Sequence, residues 1–128
     1  MKDEEIYMTV KIDAKVLGLK KPIEVNETNK NIKKTLRVQM DSDKLTTIET
    51  EGLTDEETYA AFVEARFDSN ELMLNYISDI LRLTDAQIDR LEDLEEEPTS
   101  ELFGQILAKM MHLDDVVEDA EDDGTPSN

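Results

Sequence analysis

Hydrophobic and polar positions follow two different periods along the chain. Near the start, Ile6, Met8, Val10 and Ile12 alternate with Tyr7, Thr9 and Lys11. A period of two puts one set on a single face of a half-buried strand. Ile23 to Val25 can pair back across the Gly18 to Pro22 region, where Gly and Pro punctuate the chain as a turn does. The pattern predicts a small β-hairpin over about residues 6–25. An isolated hairpin is marginal in water, so this one must rest on the helices that follow or on a partner.

Asn29 to Asp41 fits both periods. Ile32, Leu36 and Met40 lie on a helical i, i+4, i+8 stripe, whereas Leu36, Val38 and Met40 alternate as in a strand. Helix is favoured: Lys30, Lys33, Lys34 and Arg37 make a solvated outer face, Asn, Lys and Gln are poor strand formers, and Thr28 stands where a cap belongs. Leu45 to Gly52 reads as a loop, with a short strand at Thr46 to Ile48 as the alternative.

From Leu53 the helical period is clear and recurs. Thr54 with Glu57 forms a capping box, in which the hydroxyl accepts from the third helical amide and the carboxylate reaches back to the cap. The helix it opens is expected to carry Tyr59, Phe62 and Val63 inward. Asp68 or Ser69 is then expected to start a new helix, with Leu72, Met73, Tyr76, Ile77, Ile80 and Leu81 as its stripe. Thr84 with Gln87 is a second capping box, opening a short helix with Ile88, Leu91 and Leu94 inward and ending at the Glu95 to Glu97 run before Pro98. Thr99 or Ser100 caps a last helix whose broad apolar face is Leu102, Phe103, Ile106, Leu107, Met110 and Met111. The connectors are short, so successive helices must pack as neighbours.

After Leu113 the composition changes. Asp114, Asp115, Glu118, Asp119, Glu121, Asp122 and Asp123 leave only Val116 and Val117 as sizeable apolar residues. Such a segment cannot bury enough surface to offset its ordering entropy. The expected fold is α+β, mainly α: an N-terminal β-hairpin, then four or five short amphipathic helices over about 29–113. One domain spans 1–117, and 118–128 form a disordered acidic tail.

Composition agrees with a single modest core. Leu, Ile, Val and Phe supply about a quarter of the 128 residues, above the roughly 20% below which disorder is expected. The net charge of −18 is unevenly placed. Residues 1–50 hold ten basic and nine acidic side chains, whereas the rest hold four and 23. The second half is therefore an anionic surface, which repels phosphate backbones and anionic lipid, so neither nucleic acid nor membrane is an expected partner. Cysteine is absent, which removes disulfides, thiolate metal sites and cysteine nucleophiles. No apolar run reaches membrane length and no secretory signal follows Met1, so a cytosolic setting is the simplest expectation.

Little in the sequence suggests catalysis or metal binding. Asp119, Glu121, Asp123 and Gly124 imitate the first half of a calcium loop, but the bidentate carboxylate of its twelfth position falls beyond Asn128. His112 is the sole histidine, and its place at a helix end suits interaction with the C-terminal dipole. Nucleophile elbows, phosphate-cradling glycine loops and zinc-protease helices are missing. Acidic pairs such as Asp89 with Glu92 are unavoidable in so acidic a chain and show no desolvated cleft that would separate their pKa values. No enzyme, cofactor or metal is expected. The apolar faces stand out instead: Leu102, Phe103, Ile106, Leu107, Met110 and Met111, with Tyr76 and Ile80 on the preceding stripe, are either plain core or the lining of a groove for a partner, where flexible methionine tolerates imperfect packing.

The order of a hairpin, a basic amphipathic segment, short helices and an acidic tail resembles the tail assembly chaperones of long-tailed (siphovirus-type) bacteriophages or prophages of Gram-positive hosts. KNIKKTLRVQM looks like that family's early basic helix, LTDEETYAAFVEARFDSNELMLNYISDIL resembles its central helical pair, and LFGQILAKMMHL looks like its closing helix. The second half is more acidic than in a typical member, and the usual Phe and Gly punctuation between the central helices is reduced to Phe67 and Asp68. The resemblance implies a protein of the host bacterial cytoplasm that coats the hydrophobic helical tape measure protein before tail tube polymerisation and is absent from the mature virion. It also implies the major tail protein as a second candidate partner and a longer frameshifted product in many members. Two other classes stay open at this point: a scaffolding subunit that self-associates through its methionine-bearing helix, and an acidic DNA mimic that blocks a basic groove of a host protein.

Overall fold

The structure, a computed structural model, describes residues 8–113. Strands β1 (Thr9–Ile12) and β2 (Ile23–Asn26) pair antiparallel, with Val10 opposite Val25 and Ile12 opposite Ile23. The alternation acts as its period predicts: Ile12 and Val25 are buried, while Lys11 and Glu24 between them face out. Ile6 and Tyr7, the expected start of this strand, lie outside the described residues, as does the expected acidic tail with its calcium-loop imitation.

The loop between the strands holds one turn of 3-10 helix, Lys15–Leu17, which buries Leu17 and ends at Gly18 with φ of 83°. That φ disfavours any side chain, and a Cβ there would also displace the end of the Arg90 side chain, whose Nη1 donates to the Leu17 carbonyl at 2.9 Å.

Four helices follow: α1 (Asn29–Thr46), α2 (Asp55–Ile80), α3 (Asp85–Asp93) and α4 (Glu96–Met110). A hairpin followed by four helices is the α+β, mainly α, fold that the patterning predicts. Helix is the outcome for the ambiguous basic segment. The Thr28 hydroxyl accepts from the Asn31 amide at 3.2 Å, and α1 runs five residues past Asp41, absorbing Thr46; Thr47 and Ile48 form no strand.

Three expectations are corrected. The inward face of α1 is Thr35 and Val38, and of the Ile32, Leu36, Met40 stripe only Ile32 packs on the core, while Leu36 and Met40 are exposed. Threonine can occupy the buried site because its polar group is satisfied. Its hydroxyl donates to the Asn31 carbonyl at 2.9 Å and lies 2.6 Å from the Tyr76 hydroxyl.

The second correction concerns the expected restart at Asp68 or Ser69. No break exists: residues 55–80 are one helix of 26 residues. Asp68 and Ser69 are exposed, so their side chains are solvated and do not compete for the backbone, and neither Gly nor Pro interrupts the run. The third concerns α4, which starts at Glu96, with Glu95 as its cap, and not at Thr99 or Ser100. Pro98 fits in the first turn, where a helix has no use for an amide donor. Glu96 and Glu97 in that turn complement the positive end of the helix.

Both capping boxes form. The Thr54 hydroxyl accepts from Glu57 N–H at 3.1 Å, and the Thr84 hydroxyl accepts from Gln87 N–H at 3.2 Å, each with the return bond in place. One core gathers Ile12, Leu17 and Val25 of the hairpin region, Val38 of α1, Ile77 and Ile80 of α2, Leu91 of α3 and Ile106 of α4. The hairpin rests on this body as its marginal stability demands. The Gln105 side-chain amide pairs with the backbone of Asp13, accepting at 2.7 Å and donating at 3.1 Å. His112, just past α4 with φ of 57°, sets Nε2 2.6 Å from the Glu27 carboxylate, so it joins the end of α4 to the strand in addition to lying near the helix terminus. No helix among the described residues is long and apolar enough to cross a membrane.

Candidate interaction face

The eight apolar residues expected to line a groove are brought together, but inside the body. Leu102, Ile106, Met110, Tyr76 and Ile80 are buried; Phe103 and Leu107 are half-buried against the same core, and Met111 is half-buried at its end. The breadth of the α4 face has a structural cause, since α4 touches α2, α1 and β1 at once and needs apolar residues around much of its circumference. Tyr76 and Phe103 meet edge to face with centroids 5.7 Å apart. Burial pushes the Tyr76 phenol pKa up, the Asp79 charge adds to the rise, and the bond with Thr35 opposes it. In this conformation these side chains hold the fold together.

A run of four exposed large apolar residues lies elsewhere, on the first half of α2. Tyr59, Phe62, Val63 and Phe67 are 73%, 52%, 50% and 63% exposed. Helix geometry relates them to the core. Tyr59 and Ile77, Phe62 and Ile80, and Val63 and Leu81 are each eighteen residues apart, about five turns at 3.6 residues per turn. They therefore point the same way, and one apolar stripe runs the length of α2, buried at its C-terminal end and bare at its N-terminal end.

The neighbours stop short, which explains the difference. Along α2, Arg66 meets Glu96 at 2.8 Å, Met73 meets Ser100 at 4.0 Å and Tyr76 meets Phe103. Helices α2 and α4 thus run parallel in nearly constant register, and α4 begins at the level of Arg66. Helix α1 runs antiparallel, with Lys34 on Asp79 at 2.9 Å and Thr35 on Tyr76, and it ends at Thr46 beside Phe62 and Ala65. Residues 55–65 project beyond both. Within that stretch only Thr58, Ala61 and Ala65 are half-buried, and the rest are exposed.

At the foot of this overhang a cleft of about 400 Å³ opens between the end of α1, the middle of α2 and the start of α4, lined by Leu45, Ile48, Phe62, Met73 and the Arg66–Glu96 pair among others. The cleft is continuous with the stripe through Phe62. On the other flank, Glu64, Asp68 and Glu71 follow at i, i+4 and i+7 and are all exposed. No group of three or more side chains suited to hold a metal ion occurs among the described residues. The arrangement can bind an apolar surface, and one side of it favours cations.

The sequence contained the signal for this face. Eighteen-residue spacing between two sets of apolar residues is visible without coordinates, but the expected break at Asp68 divided the stripe in two and turned Tyr59, Phe62 and Val63 inward.

A short hairpin seated on a helical body, with an uncovered helix face in place of a deep pocket, defines a small helical binding module. Residues 8–124 match the family described as "Phage tail assembly chaperone proteins, TAC". The chain belongs to this family of phage tail assembly chaperones, which is generally non-enzymatic and whose role suggests tail proteins as partners. No curated protein and no solved structure matches the chain.

Proposed function

We propose that this chaperone binds and solubilises the hydrophobic tape measure protein before tail tube polymerisation, and that it does so through the bare face of α2. It acts in the cytoplasm of a Gram-positive host, for a siphovirus-type phage or prophage, and leaves before the virion is complete. The observation that carries this reading is the run Tyr59, Phe62, Val63 and Phe67, exposed on a helix whose other end uses the same stripe to make the core. A side chain of this size gains roughly 1.5–3 kcal/mol from full burial, so four together favour an apolar partner. A helix is the natural occupant, since a second helix laid along the stripe repeats on the surface what α4 does further along. The acidic flank, Glu64, Asp68 and Glu71, keeps the loaded module soluble.

Co-production with the tape measure protein tests the reading. The chaperone should hold that protein in the soluble fraction as a stable complex and should be missing from purified virions. A tape measure protein that stays insoluble in its presence would overturn the assignment. The complex should survive a rise from about 0.05 to 0.5 M salt, because buried apolar contacts are not screened, whereas binding that collapses and is competed by duplex DNA would indicate mimicry.

A further inference from the structure

The outer side of α1 is a strip of unpaired positive charge. Lys30, Lys33, Arg37 and Lys44 follow at i, i+3, i+7 and i+14 and are all exposed, a spacing that keeps them on one side of a helix. Leu36 and Met40, also exposed, lie beside them, opposite the core side formed by Thr35 and Val38. Lys34 is engaged on Asp79, but among the described residues none of the four cations forms an ion pair. Asp43 is the one exposed acidic residue of the helix.

The course of the chain after α4 brings a counter-charge to this strip. His112 is held 2.6 Å from Glu27, the neighbour of the Thr28 cap of α1, so the chain leaves the described body beside the start of α1. Residues 114–128 then supply seven acidic side chains, no basic one, and the apolar pair Val116 and Val117. A segment of that length reaches up to about 50 Å when extended, whereas α1 is only about 27 Å long. The whole strip is within its range.

We propose that residues 114–128 fold back along the outer face of α1 of the same molecule, with their carboxylates among Lys30, Lys33, Arg37 and Lys44 and the valines toward Leu36 and Met40. Electrostatics selects this occupant and this place. Residues 51–113 hold sixteen acidic and four basic side chains, so the rest of the helical body repels the acidic segment. The cations of the hairpin region are less suited to it: Lys11 stands opposite Glu24 in the strand register, and Lys15 shares a cleft with Asp13 and Glu101. Exposed charge pairs are individually weak. Here, however, the two sides are tethered by a few residues, which gives an effective concentration in the millimolar range, so no second molecule has to be captured. The contact needs no single conformation of the segment, since spread charge on both sides tolerates many registers.

The consequence is a covered α1. The acidic segment shields Leu36 and Met40 and occupies the cations beside them, so an acidic partner of α1 must first displace it. None of the α2 side chains assigned to the tape measure protein takes part, and the contact therefore stands or falls apart from that assignment.

Spin labelling of the full-length protein tests the proposal. The chain has no cysteine, so a nitroxide attached through Thr125→Cys is the sole label. At about 0.05 M salt, where exposed charges act over more than 10 Å, the backbone amides of Arg37, Met40 and Lys44 should lose most of their NMR intensity, and those of α3 should keep theirs. The loss should vanish at about 0.5 M salt, where screening confines exposed charges to a few ångströms. It should also vanish at low salt in two charge variants. One carries Lys33→Glu and Arg37→Glu on α1, with circular dichroism to check its fold; the other carries Glu121→Gln, Asp122→Asn and Asp123→Asn and alters no residue of the core. An undiminished loss in the folded variants would overturn the proposal, as would intensity lost evenly over the protein, loss confined to Lys20 and Lys21, or no loss at all. Mixing spin-labelled copies with isotope-labelled copies that lack the nitroxide should leave α1 unaffected. Loss at α1 in that mixture would put the segment on another molecule and would equally overturn the proposal.

Discussion

Ile77, Ile80 and Leu81 sit in the core with α4 and the hairpin, while Tyr59, Phe62 and Val63, about five turns earlier on the same side of α2, are at least half exposed. The composition of the two ends hardly differs in hydrophobicity; what differs is whether a neighbour reaches them. Helix α4 starts at the level of Arg66 and α1 ends beside Ala65, so the stripe outruns the body that covers its other half. An apolar stripe in a sequence therefore establishes that something packs there. Whether that something is the same chain depends on where the neighbouring helices begin and end.

The largest expected effect separates the two ends by stability. Ile77→Ala removes a fully buried side chain and should cost about 2–5 kcal/mol in denaturant unfolding. Tyr59→Ala should change it by no more than about 0.5 kcal/mol, as surface substitutions do. Comparable losses at both positions would mean that the bare half is packed in solution and would break the comparison.

A smaller effect marks how the buried end is satisfied. Thr35→Val leaves the Tyr76 hydroxyl without its partner at 2.6 Å and should cost about 1–3 kcal/mol. Adding Tyr76→Phe should recover much of that loss, a coupling that a double-mutant cycle measures. Titration gives a second view. Burial raises the Tyr76 pKa above its ordinary 10.0, so the folded state holds the phenolic proton more tightly than the unfolded state. The resulting stability is complete below that value and declines as pH rises from it toward the folded pKa. Tyr76→Phe should remove this alkaline decline.

The smallest effect concerns the bare end. With little tertiary packing, residues 55–62 depend on the capping box of Thr54 and Glu57. Thr54→Ala should cost about 1 kcal/mol, seen as faster amide exchange confined to the first turns of α2 and not as a loss of global stability. Equal acceleration at Ile77 would show that the two ends open together.

Much of this fold was legible from residue patterns. Period-two alternation located the hairpin, and Thr28, Thr54 and Thr84 marked three helix starts because each hydroxyl reaches an otherwise unpaired amide three residues on. Two features were not legible for a physical reason. Thr35 reads as polar, yet it is buried because Asn31 and Tyr76, one of them 41 positions away, satisfy its hydroxyl; pattern alone therefore turned α1 to the wrong side. Asp68 and Ser69 read as a helix start, but on a solvated side they are ordinary interior residues. That reading placed Tyr59, Phe62 and Val63 in the core and left the closing helix, with Leu102, Phe103 and Met110, as the apparent surplus. In the structure Tyr59, Phe62 and Val63 are exposed on α2, while Leu102 and Met110 are buried.

One measurement tests the account most directly. The variant combining Tyr59→Ser, Phe62→Ser, Val63→Thr and Phe67→Ser is produced together with a tape measure segment, beside the unmodified chaperone, and both are assayed for thermal midpoint and for the fraction of segment kept soluble. The account predicts an unchanged midpoint within a few degrees and loss of most of the solubilised segment. A variant that stays folded and holds the segment in solution as well as the unmodified protein would contradict it.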